Sequence, residues 1–326
     1  MSRNIVVTGG AGFIGSAVVW GLNCRGIENI WIVDLEEHSN RENISNLKYS
    51  EYIPHDVFRN NLFKGIWDKE DIDCIIHLGA CTSTMEKNEE YLKDNNYQYT
   101  VDVAQFSLKQ GIRFIYASSA ATYGDGSLGF SDDESKIEQF KPLNLYGESK
   151  QWFDMWVKKN NLLDKIVGLK YFNVYGPNEY HKEGMRSFII KAYEQIKKTG
   201  RVRLFKSYKP DYEDGEQLRD FIYVKDVVDE TLFFFDNRNT FGIYNVGTGS
   251  VHSWNELVNA VFESLSKEVK IEYIDMPAGL KEQYQYFTQA DMGKIKQAGY
   301  IKEPWNFKEA IADYVLNYLQ KKTFLK

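Results

Sequence analysis

Short runs of apolar, largely β-branched residues recur through the first half of the chain and alternate with segments of helical spacing. The run at 4–8 is typical of a strand that is buried on both faces of a parallel sheet. The same pattern predicts further strands at 30–33, 49–54, 73–78, 112–117 and 166–172. Helices are predicted after Gly15, at 61–67, at 86–110 and from Leu145 onward. This alternation indicates an α/β fold with a Rossmann-type doubly wound parallel sheet.

The alternation becomes irregular after residue 176. Polar and acidic turn residues fill 207–217, between helices predicted at 185–198 and 224–235. The other elements predicted here are strands at 202–206, 243–246 and 269–274 and helices at 254–265 and 307–319. We therefore predict two parts: a dinucleotide-binding domain at 1–176, to which 221–249 returns, and a smaller α/β substrate-binding lobe at 177–220 and 250–326.

The composition of the chain limits the kinds of binding partner that we expect. The chain has 326 residues, a formal net charge of −6 and no long run of like charge, which argues against a nucleic acid or an anionic membrane as partner. Its three cysteines, Cys24, Cys74 and Cys81, lack metal-ligand spacing, so we expect reduced thiols and no metal site. The sequence shows neither a signal peptide nor an apolar run of membrane-spanning length, so we expect a soluble cytoplasmic protein.

Glycines follow the first predicted strand. Gly10, Gly12 and Gly15 form G-x-G-x-x-G, with Gly9 as an additional glycine, where a helix is predicted to begin. Unpaired N–H groups and the helix dipole favour an anion at such a position. Asp34 ends the next strand, from which a carboxylate can bond an adenosine ribose. The arrangement predicts a dinucleotide site; the alternative is a glycine-rich turn that only packs helix on sheet.

Small residues also follow the strand predicted at 73–78. The segment 79–82, Gly-Ala-Cys-Thr, suits close approach of a cofactor, because ligands of open parallel sheets bind beyond the carboxyl ends of the strands. Taken alone, the segment is better explained as an ordinary tight turn between a strand and a helix.

Tyr146 and Lys150 are four residues apart on a predicted helix, so their side chains share one face. A lysine ammonium lowers the pKa of a neighbouring phenol, which would suit Tyr146 to exchange a proton with a substrate hydroxyl. Ser119 follows the strand predicted at 112–117 and is expected to hydrogen-bond the same oxygen. The alternative is a chance occurrence of a common spacing, which the preceding dinucleotide motif makes less attractive.

Four segments of the chain resemble the extended short-chain dehydrogenase/reductase superfamily, which acts on nucleotide sugars. They are TGGAGFIG at 8–15, SSAATYG at 118–124, YGESK at 146–150 and NVYGP at 173–177. A narrower resemblance, to the ADP-L-glycero-D-manno-heptose 6-epimerase family, extends over nearly the whole chain. It is carried by GACTST at 79–84, DNNYQY at 94–99, YASSAATYG at 116–124, KPLN at 141–144, YFNVYGP at 171–177, His181-Lys182 and YQYFTQAD at 284–291.

This resemblance implies an NADP-dependent epimerisation at carbon 6 of ADP-D-glycero-D-manno-heptose, in the synthesis of lipopolysaccharide core precursors. The carbon-6 hydroxyl is oxidised to a transient ketone, which is then reduced on its opposite face. Because the hydroxyl leaves from one side and returns on the other, two proton-handling groups are needed. By motif position these are Tyr146 and Lys182, with Ser119 and Lys150 assisting. Without the resemblance, Lys182 would be interpreted as a solvated loop lysine.

The motif and the resemblance together also predict binding residues. For the cofactor these are Gly9, Gly12, Phe13, Ile14, Gly15, Asp34, Leu35, Arg41, Leu78, Gly79, Ala80, Cys81, Thr82, Asn95, Lys150, Val174 and Lys182. For the ADP-sugar substrate they are Ser119, Asn173, Gly184, Lys191, Phe205, Lys206, Ser207, Tyr208, Arg219 and Tyr284. Arg219 suits a diphosphate because its planar guanidinium pairs with two phosphate oxygens, and the alternative for it is a surface ion pair. Tyr284 is equally compatible with a position in the core. The resemblance further implies a homo-oligomer, with a pentamer suggested.

Departures from the family pattern leave the cofactor open. Leu35 stands where an asparagine is common. Asp34 favours the free 2′-hydroxyl of NAD, whereas His38 or Arg41 could accept the 2′-phosphate of NADP. We expect NADP, with NAD as the alternative.

Other departures leave the sugar open. Gly184 replaces a serine, Gln283 replaces an arginine, and the segment 208–218 is longer and more acidic than expected. Another nucleotide-sugar epimerase or dehydratase is therefore an alternative, although a dehydratase commonly carries an Asp-Glu pair where this chain has Ala120 and Ala121. A catalytically silent dinucleotide-binding regulator is a further alternative, which would not need Tyr146, Lys150 and Ser119 together.

Overall fold

The computed structural model describes residues 3–35, 41–281 and 284–326. Two residues that entered the predictions, His38 and Gln283, lie outside the described residues. Within the described ranges, no helix combines the length and the apolar character needed to cross a bilayer. The same ranges contain no group of three or more His, Cys, Asp or Glu side chains that could hold a metal ion.

The strands of the described residues are mostly short and apolar. In chain order they are β1 (Asn4–Thr8), β2 (Ile30–Asp34), β3 (Glu51–Pro54), β4 (Ile72–His77), β5 (Arg113–Ser119), β6 (Val167–Tyr171), β7 (Asn173–Tyr175), β8 (Val202–Phe205), β9 (Leu218–Arg219), β10 (Phe221–Tyr223), β11 (Gly242–Val246), β12 (His252–Ser253) and β13 (Ile271–Ile274). Seven of them form one parallel sheet in the order β11-β6-β5-β4-β1-β2-β3. The order reverses at β1, so a crevice opens between the carboxyl ends of β1 and β4.

The α-helices of the described residues pack partly on the two faces of this sheet and partly on one another. They are α1 (Phe13–Cys24), α2 (His55–Phe63), α3 (Glu89–Leu92), α4 (Tyr99–Gln110), α5 (Leu145–Lys159), α6 (Phe188–Thr199), α7 (Val224–Asp236), α8 (Trp254–Ser264), α9 (Ala278–Lys281), α10 (Gly293–Gln297) and α11 (Phe307–Asp313). Because alternate strand residues face opposite sides, Ile5 and Val7 pack in the layer of α1 and α7, whereas Val6 packs in the layer of α2, α4 and α5. The doubly wound α/β fold predicted from the sequence is confirmed.

The smaller pairs of strands lie in the second half of the chain. β8 pairs with β13 and β7 with β10, both parallel, and β9 pairs with β12 antiparallel. β11, within the range 221–249, pairs with β6 at the edge of the large sheet. The boundaries of the two predicted domains stay a prediction.

Two elements near the crevice differ from the sequence prediction. The helix predicted at 61–67 instead begins at His55 and ends at Phe63. The helix predicted at 86–110 consists of α3, a π-helical turn at Lys93–Gln98 and α4. A π-turn inserts an extra residue into the helix and leaves no mark in the hydrophobic period, so the pattern could not reveal it.

Candidate active site

A cavity of about 900 Å³ runs along the carboxyl ends of β1, β2, β4, β5 and β6. It therefore lies where open parallel sheets bind their ligands. Most residues predicted for the site line it: Gly9, Gly12, Phe13, Ile14, Gly15, Asp34, Leu35, Leu78, Gly79, Ala80, Cys81, Thr82, Asn95, Ser119, Tyr146, Lys150, Asn173, Val174, Lys182, Arg219 and Tyr284. The chain thus brings together side chains that are far apart in sequence.

The glycine-rich turn forms one end of the cavity, and its backbone packs closely against the backbone of Gly79. Gly9 has a φ of +66°, and a Cβ atom at this position would lie 2.7 Å from the nitrogen of Gly79. α1 begins at Phe13 without a side-chain cap, so the N–H groups of residues 13–15 meet no acceptor in the described part of the chain. Three such donors at a helix N-terminus fit an anionic group such as a pyrophosphate.

Asp34 is tied to the glycine-rich turn by backbone hydrogen bonds. Its carboxylate accepts the N–H of Ala11 at 2.9 Å and the N–H of Leu35 at 2.9 Å. Arg41 does not line the cavity; its guanidinium lies 5.0 Å from the centre of the Tyr52 ring. Tyr52 in turn donates to the carbonyl oxygen of Leu35 at 2.6 Å, which places Arg41 beside the segment that follows Asp34.

The π-turn at Lys93–Gln98 carries a residue that the sequence analysis missed. Asn96 is buried and accepts the Cys81 N–H at 2.8 Å while donating to the Cys81 carbonyl at 2.9 Å. It also donates to the Ser149 hydroxyl at 3.0 Å, and Asn95 donates to its side-chain oxygen at 3.0 Å. Asn96 therefore joins the loop after β4 to α5. Two adjacent asparagines in the middle of a predicted helix were the available signal, since asparagine is unfavourable there.

Ser119 and Tyr146 meet inside the cavity. Burial raises the pKa of Tyr146, and a hydrogen bond with Ser119 lowers it in part. Lys150 donates to the Ala117 carbonyl at 2.9 Å, and burial lowers its pKa to about 8. The lowered tyrosine pKa expected from the Tyr146–Lys150 spacing is therefore wrong for the chain by itself, because loss of solvent outweighs the hydrogen bond with Ser119.

Lys182 comes from a different wall of the cavity, the 3₁₀ segment Tyr180–Met185. Its ammonium lies 5.5 Å from the centre of the Phe13 ring, close to the start of α1. Burial lowers the pKa of Lys182, and the charge of Glu179 opposes this shift. The solvated position that a loop lysine would ordinarily take is thus not observed.

Arg219 is only 6% exposed, so the alternative of a surface ion pair does not hold. Its guanidinium donates to the carbonyl oxygens of Leu218 and Gln285. The ring centres of Tyr284 and Trp254 lie 5.4 and 5.8 Å from it. Burial lowers the pKa of Arg219, as expected of a cation without a carboxylate partner.

Several predicted binding residues do not line the cavity. They are Arg41, Gly184, Lys191, Phe205, Lys206, Ser207 and Tyr208. Lys191 donates to the Gly184 carbonyl at 2.6 Å, and the Tyr208 hydroxyl donates to Asp275 at 2.9 Å. These contacts engage the side chains outside the cavity, so their proposed role in binding stays a prediction.

The charge of the cavity indicates what it binds. Lys150, Lys182 and Arg219 all line it, and none of them forms an ion pair with a carboxylate in the described ranges. Buried cations normally have an anionic partner. The three cations and the free N–H groups at α1 therefore fit a dinucleotide together with a second phosphorylated ligand.

Comparisons with known proteins agree with this site. Residues 5–247 match the NAD dependent epimerase/dehydratase family. Over 317 residues the chain is 50% identical to an ADP-L-glycero-D-manno-heptose-6-epimerase of Nitratidesulfovibrio vulgaris, an alignment that covers 96% of this chain and 97% of the relative. A Fusobacterium nucleatum protein of the same name is 46% identical over 330 residues, with 97% and 98% covered.

A solved structure shows the same architecture. The crystal structure of the Helicobacter pylori ADP-L-glycero-D-manno-heptose-6-epimerase is similar with a TM-score of 0.80 at 28% identity, covering 97% of this chain and 96% of that one. The similarity thus includes both the large sheet and the second half of the chain.

Proposed function

The chain belongs to the NAD dependent epimerase/dehydratase family, and we propose that it epimerises carbon 6 of ADP-D-glycero-D-manno-heptose to give ADP-L-glycero-D-manno-heptose. Relatives that share 46–50% of its residues over nearly their whole length carry the name of this activity. The observation that supports it most is the meeting of Tyr146, Lys182 and Arg219 on one cavity. We place the reaction in the synthesis of lipopolysaccharide core precursors, in the cytoplasm.

A bound nicotinamide dinucleotide supplies reversible oxidation of the carbon-6 hydroxyl. Tyr146 takes the proton of the carbon-6 hydroxyl as the ketone forms on its side of the sugar, and Lys182 gives a proton to the ketone oxygen when the turned ketone is reduced on its opposite face. Ser119 hydrogen-bonds the same oxygen and holds it within reach of the phenol. Lys150 is the cation nearest this pair on α5, and its charge favours the phenolate.

Lys182 handles the proton on the opposite face of the sugar. Its burial is useful for this role, because a lowered pKa brings an ammonium closer to the range in which it can give up a proton. Tyr146 on α5 and Lys182 on the Tyr180–Met185 segment come from different walls of the cavity. A ketone that turns between them receives its proton from either side.

Arg219 would hold the diphosphate of the ADP-sugar. Its guanidinium has hydrogen-bond donors left after the two carbonyl contacts, and Tyr284 offers an aromatic face beside it. Asn173 is held by the Asp220 carbonyl at 2.9 Å and by Thr288 at 3.1 Å, and we assign it to the sugar. The lobe at 177–220 and 250–326 is the part we assign to substrate.

We infer NADP as the form of the cofactor, with NAD as the alternative. The guanidinium of Arg41 lies over the ring of Tyr52, whose hydroxyl donates to the carbonyl of Leu35 next to Asp34, and we assign Arg41 to the 2′-phosphate. An Arg41→Ala variant should lose affinity for NADP and keep its affinity for NAD. Equal affinity of the unaltered chain for both would refute the NADP assignment.

We also propose a homo-oligomer, which analytical ultracentrifugation would test.

The experiment for the activity needs no added cofactor if the dinucleotide co-purifies. Dinucleotide-loaded protein is incubated with ADP-D-glycero-D-manno-heptose, and the two carbon-6 epimers are followed by NMR. Tyr146→Phe and Lys182→Met should each abolish conversion and retain the dinucleotide. Lys198→Met, an exposed lysine on α6, is the matched control and should leave conversion unchanged.

Absence of conversion by the intact, loaded protein would refute this substrate. Attention would then turn to Gly184 and the acidic segment 208–218 as signs of a different nucleotide sugar. Conversion that survives in Tyr146→Phe would instead refute the assignment of the proton acceptor.

A further inference from the structure

A buried ion pair lies directly behind the candidate active site. Asp154 on α5 is 0% exposed, and Lys170 on β6 is 1% exposed. The Lys170 ammonium donates to the Asp154 carboxylate at 2.6 Å. Tyr116 and Ser118, on the same face of β5, donate to the carboxylate at 2.8 Å each. The Asp154 carboxylate thus accepts three hydrogen bonds in the interior.

The pair is connected to Ser119 through a short chain of hydrogen bonds. Lys170 donates to the Thr122 hydroxyl at 2.6 Å, and Thr122 donates to the carbonyl of Ser119 at 2.8 Å. The rings of Tyr123 and Phe140 enclose the Lys170 ammonium, with centres 5.0 and 5.9 Å away. Lys170 therefore anchors the turn after Ser119 through the hydroxyl of Thr122.

The pair also acts on Lys150. Asp154 follows Lys150 by four residues on α5, so the two side chains share a helix face. Burial lowers the pKa of Lys150 to about 8, and the charge of Asp154 is the largest influence that opposes this. One buried carboxylate therefore pairs directly with Lys170 and acts on Lys150 through its charge alone, and Lys150 faces the cavity.

Other titratable groups near Lys150 do not replace Asp154. They are Cys81 after β4, His77 on β4, Tyr146 on α5 and Lys170 on β6. Burial and the Lys150 charge lower the pKa of His77 to about 3, so it is neutral near pH 7. Lys170 adds positive charge. Of the described carboxylates, Asp154 is the one that acts on Lys150.

We propose that Asp154 is a positioning residue that keeps Lys150 protonated and, through Lys170 and Thr122, holds the turn carrying Ser119. This inference rests on the proposed function and extends it, because it concerns the charge state in which the same site works. Asp154 does not line the candidate cavity. It acts through Lys150 and through the backbone of Ser119.

The test is the pH dependence of Asp154→Asn, a change that removes the charge and keeps the shape. Loss of a nearby carboxylate should lower the midpoint of the alkaline limb by about one pH unit. A midpoint that falls from about 8 to about 7 gives roughly eightfold lower turnover than wild type at pH 8.5 and nearly equal turnover at pH 6. Dinucleotide affinity is measured over the same pH range, since Lys150 also lines the cofactor cavity.

Two further variants separate charge from structure. Tyr116→Phe removes a hydrogen bond to the same carboxylate without altering any charge, so the alkaline midpoint should stay in place. The double variant Asp154→Asn with Lys170→Met also removes the Lys170 ammonium, which the single variant would leave in the interior without its ion-pair partner, and this protects the fold if the single variant is unstable. Its alkaline midpoint should still move downward, because Lys150 has lost its carboxylate.

These measurements distinguish failure of the Asp154 proposal from failure of the proposed function. A loss of turnover that is equal at every pH in both Asp154 variants would overturn the proposal and leave the epimerase activity intact. Failure of the wild-type protein to convert the ADP-sugar would overturn the proposed function. In that case the pH profile of dinucleotide affinity still decides the role of Asp154.

Discussion

Replacement of Arg219 by methionine should change ligand affinity and stability in opposite directions. Arg219 is 6% exposed and bonds two carbonyl oxygens, and no carboxylate of the described residues neutralises it. A buried cation of this kind costs desolvation energy in the ligand-free chain. Methionine fills a similar volume without the charge. We therefore expect Arg219→Met to fold at least as stably as wild type while binding ADP poorly.

The magnitude follows from the bonds that are lost. A hydrogen bond to a charged group contributes about 1.5–3 kcal/mol, so loss of a two-bond contact with the diphosphate should cost about 3 kcal/mol of binding. This corresponds to roughly 100-fold weaker affinity. The free energy of unfolding of the ligand-free protein should stay level or rise by up to about 2 kcal/mol, since desolvation is relieved and two carbonyl contacts are lost.

The chain offers a closely matched control in Arg113. It is 7% exposed and also bonds only carbonyl oxygens, those of Phe234 in the last turn of α7 and of Asn237, Arg238 and Thr240 just beyond it. These carbonyls belong to the negative end of a helix, so Arg113→Met should lose about 3 kcal/mol of stability. Its affinity for ADP should be unchanged, because Arg113 lies outside the cavity.

Isothermal titration with ADP and urea unfolding of the dinucleotide-free protein measure the two quantities. An Arg219→Met protein that binds ADP as tightly as wild type would refute the assignment of Arg219 to the diphosphate. A variant destabilised as much as Arg113→Met would refute the claim that Arg219 is an uncompensated charge. Either result is independent of turnover.

Two further predictions concern the turn and the acidic interior. Gly12→Ala should fold yet lose dinucleotide affinity in a fluorescence titration, because its φ of −71° suits alanine, its Cβ would lie 3.1 Å from the Gly9 oxygen, and Gly12 lines the cavity at the start of α1. Gly15→Ala should instead lower the melting temperature, since its Cβ would lie 2.0 Å from the Gly9 oxygen; normal melting would contradict this. Burial raises the pKa of Asp226 to about 7 in the folded protein, above its value in the unfolded chain. The folded protein therefore holds the Asp226 proton more tightly, and the stability that this gives is complete below about pH 4 and is lost as the pH rises through 7. Asp226→Asn should therefore be more stable than wild type at pH 8 and not at pH 4 in urea unfolding, and an equal difference at both values would contradict the reasoning.

Local spacing was sufficient to predict much of the dinucleotide end. The glycines and Asp34 lie in one continuous βαβ unit, and their partners, such as the N–H of Ala11, are near in sequence. Tyr146 and Lys150 were likewise paired by one helical turn. Lys182 was different, because nothing in its own loop distinguishes it, and only the family resemblance drew attention to it.

The features of the site that could not be predicted from the sequence depend on contacts between residues that are distant along the chain. Asp154 meets Lys170 and Tyr116 only after α5 has packed on the sheet, so neither neighbouring sequence nor periodicity marks it as part of the site. The pKa direction of Tyr146 depends on how much solvent is removed, which the sequence does not state. Asn96 acquires its role from a π-turn that the hydrophobic period conceals.

The position of β11 bears on the order in which the molecule assembles. β11 completes the large sheet beside β6, yet the whole segment between Tyr171 and Gly242, including Arg219, intervenes. Closing so long a loop is slow compared with pairing the strands β1 to β6, whose connections are shorter. A folding chain should consequently acquire its cofactor crevice before its diphosphate site, and the late step would be visible as delayed amide protection in β11.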